Sequence, residues 1–176
     1  MDKVDEIKRI NQEISAKFSK IEIHIAYAKT IPRLFEALFA GIEKEFAVPF
    51  VWLTLIEGEK AAPVIEALQS SPVLKNKLNV IPRDLFEHIL PKGLQPVLAN
   101  KEMQLYYKLM PPANKFFIKS VAAIPFTIKD EIAGSWNSGD VLSDRYLPDM
   151  DTTLLQKLSQ KISARLNEFT LNNGCA

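Results

Sequence analysis

Apolar residues recur at Ile7, Ile10, Ile14, Phe18, Ile21, Ile25 and Ala28, in steps of three and four through a stretch with no glycine or proline. This spacing predicts one amphipathic helix over residues 2–29. Some 25 helical residues would extend about 40 Å, more than a compact domain needs to cover its own sheet, so part of this helix is expected to project or pair. A second stripe, Leu34, Phe35, Leu38, Phe39 and Ile42, follows a cap-like Thr30 and an early Pro32, and predicts a helix to residue 46 that Pro49 forbids to continue. A third, Leu155, Leu158, Ile162, Leu166 and Phe169, predicts a closing helix over residues 151–171.

Strand signals lie between these helices. Residues 50–57 are rich in aromatic and β-branched types and are bounded by Pro49 and Gly58. Residues 121–128 and 132–137 have the same character, and the charged trio Lys129-Asp130-Glu131 between them reads as the turn of a hairpin. Prolines at 63, 72, 82, 91 and 96 cut the intervening region into short pieces. Helices are expected there at 64–69, 83–90 and 101–109, with a short strand at 96–99. The resulting organisation is an N-terminal helical arm over residues 1–29 and a domain over residues 30–176.

Length and charge exclude several classes. The 176 residues suit one domain able to bury its core without staples. A formal charge of +1 gives no general attraction to phosphate backbones or anionic lipid, so neither nucleic acid nor membrane is an expected partner. The longest apolar run, residues 46–56, falls well short of the roughly 20 residues a membrane span requires. The single cysteine, Cys175, permits no disulfide within the chain, and a reducing, cytoplasmic setting is the natural reading.

The hairpin and the segment after it carry a resemblance. Ser120-Val121-Ala122-Ala123-Ile124-Pro125-Phe126, then Ile132-Ala133-Gly134, then a loop and a long helix, is similar to the end of a GAF domain. The phrase over residues 138–158 also resembles a bacterial GAF-like family of unknown function. The resemblance covers roughly residues 30–171. It implies an α/β (α+β) fold with a GAF/PAS-like central mixed or antiparallel sheet, long N- and C-terminal helices on one face, and an irregular pocket wall on the other. Cyclic-nucleotide-binding members carry Asn-Lys, Phe and Asp-Glu in order, and Asn114-Lys115, Phe126 and Asp130-Glu131 match that spacing. The matches fall in the wrong elements, however, and Asn137-Ser138 stands where the family's Asn-Lys would. Members that reduce free methionine sulfoxide need several cysteines, which this chain lacks.

No nucleophile elbow, glycine-rich phosphate loop or paired metal ligand can be read, and His24 and His88 stand on separate predicted helices. The aromatics of Lys115-Phe116-Phe117-Ile118-Lys119 are read as strand entry into the core. Trp52 and Trp136 share parity with Thr54 and Gly134 on their strands and are read as looking onto one sheet face. Trp52, Thr54, Phe86, Ser120, Trp136 and Asn137 are the candidate ligand contacts, with no cofactor identified. The expected function is a non-enzymatic sensory or regulatory domain, homodimeric through its terminal helices and able to bind a small metabolite. The alternative is an interaction scaffold with a filled pocket and no ligand, acting through a protein partner.

Overall fold

The computed structural model describes residues 2–173, so Cys175 lies outside the described residues. The first helix, α1 (Lys3–Tyr27), starts at Asp2. The second, α2 (Ile31–Phe46), is capped by Thr30, whose hydroxyl accepts from the Arg33 amide at 3.2 Å, and ends at Ala47 in the left-handed region. Strand β1 (Phe50–Ile56) is followed by α3 (Ala62–Gln69), β2 (Leu78–Ile81), α4 (Arg83–Ile89) and β3 (Val97–Ala99). The short helix expected over residues 101–109 is a 3-10 helix, Met103–Leu109, and β2 is a strand beyond those expected. The hairpin β4 (Ser120–Ile128) and β5 (Glu131–Asp140) leads through a loop to α5 (Thr153–Asn173).

The hairpin turn is tighter than the charged trio suggested. Ile128 pairs with Glu131, so only Lys129 and Asp130 form the loop, at φ of 52° and 64°. Two consecutive positive φ values give the turn geometry that matches the right-handed twist of the flanking strands. Asn167 of α5 supports it, its side-chain oxygen accepting from the Lys129 amide at 2.7 Å.

The strands form one mixed sheet in the order β2-β1-β5-β4-β3, with β1 and β2 parallel and the other pairs antiparallel. Alternation then assigns side chains to two faces. Val51, Leu53, Leu55, Ile124, Phe126 and Trp136 face α1, α2 and α5 and join the main core. Trp52, Ile56, Val121 and Ala123 face the other way, toward α4 and the 3-10 helix. Close approach fixes two glycines. A Cβ on Gly134 would stand 2.2 Å from the Thr54 carbonyl oxygen of β1, and one on Gly41 would stand 2.7 Å from Ile21 Cγ1, where α1 crosses α2.

The first helix divides in two. Phe18, Ile21 and Ile25 are buried against the domain, whereas residues 2–13 are exposed throughout. The projecting portion is therefore the half before Ile14, and the other half belongs to the core.

Candidate functional site

On the sheet face away from the terminal helices, β1 and β5 bring four polar side chains together. Trp52 pairs directly with Asn137, and Thr54 with Ser135. All four are buried. Trp52 Nε1 and Thr54 Oγ1 both donate to the Leu109 carbonyl, at 2.6 and 2.8 Å. The Asn137 amide is satisfied at both ends when its oxygen faces Trp52 Nε1, 3.1 Å away, and its nitrogen donates to Ser135 Oγ at 2.7 Å. The cluster thus uses its hydrogen bonds internally and on the end of the 3-10 helix. Met110 and Ile118 join Trp52 in a buried cluster, while Phe86 of α4 packs with Leu109, Ile56 and Ala123 in the adjoining one. Over β1 and β5 this face is packed by the protein's own side chains.

Three of the six candidate residues, Trp52, Thr54 and Asn137, therefore meet, and Phe86 lies on the same side. Ser120 does not join them: its hydroxyl donates to the Leu142 carbonyl at 2.7 Å and secures the loop after β5. Trp136 is on the opposite face, paired with Leu53 among the core residues under α1, α2 and α5. The expectation that the two tryptophans share a face is thus corrected. The register pairs an even-numbered position of β1 with an odd-numbered one of β5, and equal parity then means opposite faces. Phe116 and Phe117 also depart from expectation. They are exposed on a turn, with Lys115 Nζ 5.1 Å from the Phe116 ring, and only Ile118 enters the core.

The sheet's helix side holds a cavity of about 390 Å³ between α1, α2, α5 and the loop after β5. Ile14, Phe18, Phe46, Val48 and Leu154 give it apolar walls, and Trp136, Ser138, Arg145, Tyr146 and Asp151 supply its polar groups. Arg145 is held by Asp140 at 3.7 Å and by the Phe46 carbonyl. Burial is the main cause that pushes the Tyr146 phenol above its ordinary pKa, against smaller opposing effects of Ser138 and Arg145. Hydrogen bonds from the Thr153 hydroxyl and amide hold the Asp151 carboxyl below its usual range, so it is ionised at neutral pH. A larger, open groove of about 740 Å³ runs along β3, with His88, Lys101, Tyr106 and Asp149 in its lining.

This arrangement places one sheet between a helical layer formed from both chain termini and a layer of short helices and loops. The fold is similar to that in the crystal structure of the phycocyanobilin-bound GAF domain from a cyanobacterial phytochrome, with a TM-score of 0.60 at 12% identity, over 90% of this chain and 96% of that one. The fold is GAF-like. No protein-family model and no curated protein matches the chain.

Within this GAF-like fold, none of the described helices is long and apolar enough to cross a membrane. Among the described residues, no three His, Cys, Asp or Glu side chains are grouped to hold a metal ion. His24 and His88 are both exposed. Sequence reasoning missed Ser135, Leu109 and the helix-side cavity. Ser135 was within reach, since it stands two residues from Asn137 on the same strand. Leu109 contributes a backbone carbonyl, for which no side-chain pattern exists. The cavity depends on how far α1 and α5 stand from the sheet, which periodicity does not report.

Proposed function

We propose that this GAF-like domain is a non-enzymatic regulatory module that pairs with a second copy of itself through α1 and responds to a small molecule. One observation carries the reading. Val4, Ile7 and Ile10 are 55%, 51% and 42% exposed, yet they continue the same helical stripe that Ile14, Phe18, Ile21 and Ile25 bury against the domain. An apolar stripe sustained beyond the domain is what a helix needs to pack against another helix. A twofold contact between two projecting halves would cover both stripes with the same residues. Its position beside α5 would link the contact to the helical layer on the sheet.

The alternative reading, a ligand-free interaction scaffold, draws on the filled face around Trp52. The cavity beside Trp136 favours the responsive module instead. Pairing is tested by placing a photo-cross-linking amino acid at Ile7 and, as a control, at exposed Asp84 on α4. Illumination should give a species of twice the chain mass from the Ile7 protein alone. Equal cross-linking at both positions, or none at Ile7, would overturn the pairing.

A further inference from the structure

The segment Lys115-Phe116-Phe117-Ile118-Lys119 leaves two aromatic side chains in solvent. Ile118 is buried, whereas Phe116 and Phe117 are 65% and 61% exposed. A second apolar pair, Val141 and Leu142, is 51% and 56% exposed on the bend after β5. The two pairs adjoin. The Lys119 amide donates to the Asp140 carbonyl at 2.8 Å and the Ser120 hydroxyl to the Leu142 carbonyl at 2.7 Å, so the turn before β4 and the bend after β5 lie side by side at one end of the sheet. Single exposed apolar residues need no explanation, but a group of four large ones marks an interaction surface.

The patch is held in shape and bordered by positive charge. Tyr107 meets the Phe116 ring edge to face, with centroids 5.5 Å apart, and Lys115 Nζ lies 5.1 Å from the centre of the Phe116 ring and 5.7 Å from that of Tyr107. Lys119 follows the phenylalanines, Lys108 follows Tyr107, and Lys101 stands two residues beyond the Ala99–Val121 pair, level with Lys119. Among the described residues, none of these four lysines takes part in an ion pair. Glu102 and Asp144 are the exposed carboxylates nearest in sequence, while Asp140 is buried on Arg145. The formal charge of +1 for the whole chain conceals this local excess of positive charge.

The chemistry of the patch selects its partner. Val141 and Leu142 offer no ring on which a base could stack, which argues against single-stranded nucleic acid. Lysine is depleted from the cores of protein–protein interfaces, whereas at a lipid surface its apolar stem lies along the hydrophobic layer and its ammonium reaches the phosphates. We propose that the end of the sheet formed by residues 115–119 and 141–142 docks on an anionic bilayer surface, its apolar tips entering the headgroup layer and its lysines facing the lipid phosphates. This goes beyond the regulatory reading, because the surface is separate from the exposed stripe of α1 and from the helix-side cavity. It would bring the domain to a membrane without a spanning helix.

The test is co-sedimentation of the full-length protein with sucrose-loaded phosphatidylcholine vesicles, with and without about 30% phosphatidylserine. The protein should bind the phosphatidylserine vesicles at least about tenfold more tightly than the neutral ones, and added salt should weaken that binding. Phe116→Ser/Phe117→Ser and Lys115→Gln/Lys119→Gln should each weaken it at least about tenfold, with unchanged far-ultraviolet circular dichroism. Leu94→Ser, at an exposed apolar position beyond the opposite end of β3, should bind like the wild type. No vesicle binding, equal binding to both compositions, full binding by the Phe116→Ser/Phe117→Ser protein, or binding of oligothymidylate in place of vesicles would overturn the proposal.

Discussion

Trp52 and Asn137 stand opposite one another on β1 and β5, and the indole of one lies 3.1 Å from the amide oxygen of the other while also donating to the Leu109 carbonyl at 2.6 Å. This pair holds the end of the 3-10 helix against the sheet and turns the Trp52 donor onto the protein's own acceptors. The cluster is consequently a structural clamp.

Removing the amide should therefore cost stability. Asn137→Ala leaves Ser135 and part of the Trp52 donor without their partner, and a loss of about 2 kcal/mol is expected from buried polar groups so abandoned. Thr54→Val should cost less, about 1 kcal/mol, because Trp52 still satisfies the Leu109 carbonyl. Urea denaturation measures both. An Asn137→Ala loss below that of Thr54→Val would contradict the clamp.

Gly134 should tolerate no side chain. The contact that a Cβ would make is with backbone on both counts, the Thr54 carbonyl oxygen at 2.2 Å and Leu55 Cα at 3.0 Å, so no flexible side chain can swing aside. Gly134→Ala should destabilise by about 3 kcal/mol, at the upper end of overpacking costs, with the β1–β5 pairing disturbed first. Thermal melting together with amide exchange at β1 checks it, and a change within about 0.5 kcal/mol would show that the strands can part without cost.

Tyr146 gives a pH dependence. Its phenol is raised from the ordinary 10.0, chiefly by burial, so the folded state keeps the proton at a pH where the unfolded chain has begun to lose it. The unfolded state binds fewer protons in that window, and stability must fall as pH rises above about 10. Tyr106 is raised for a similar reason, burial first and Glu102 second, and contributes in the same direction. Tyr146→Phe should flatten the alkaline fall only in part, as read by urea midpoints between pH 9 and 11. An unchanged slope would show that the phenol is freely hydrated.

The helices and the hairpin were legible because each repeats its own period: the stripes of α1, α2 and α5 were read within a few residues. Strand β2 escaped because Leu78-Asn79-Val80-Ile81 has only four residues and ends against Pro82, too short for alternation to register. Its parallel pairing with β1 is also a long-range choice, made by packing. Parity within a strand placed Trp52 with Thr54 correctly, but it could not fix how β1 and β5 align. Trp136 was accordingly assigned to the wrong face. The candidate site was half visible for that reason: side-chain types marked Trp52, Thr54 and Asn137, while the Leu109 carbonyl and the cavity beside Trp136 are products of tertiary geometry.

Pairing through the exposed half of α1 underlies the regulatory reading, and sedimentation velocity on the full chain and on Ile7→Glu/Ile10→Glu decides it. Both positions are exposed and lie before the buried half of α1, so the substitutions leave the domain core intact. The wild-type protein should sediment as a dimer and the double variant as a monomer that still melts cooperatively. A wild-type monomer across micromolar concentrations, or a double variant that remains dimeric, would contradict pairing through α1.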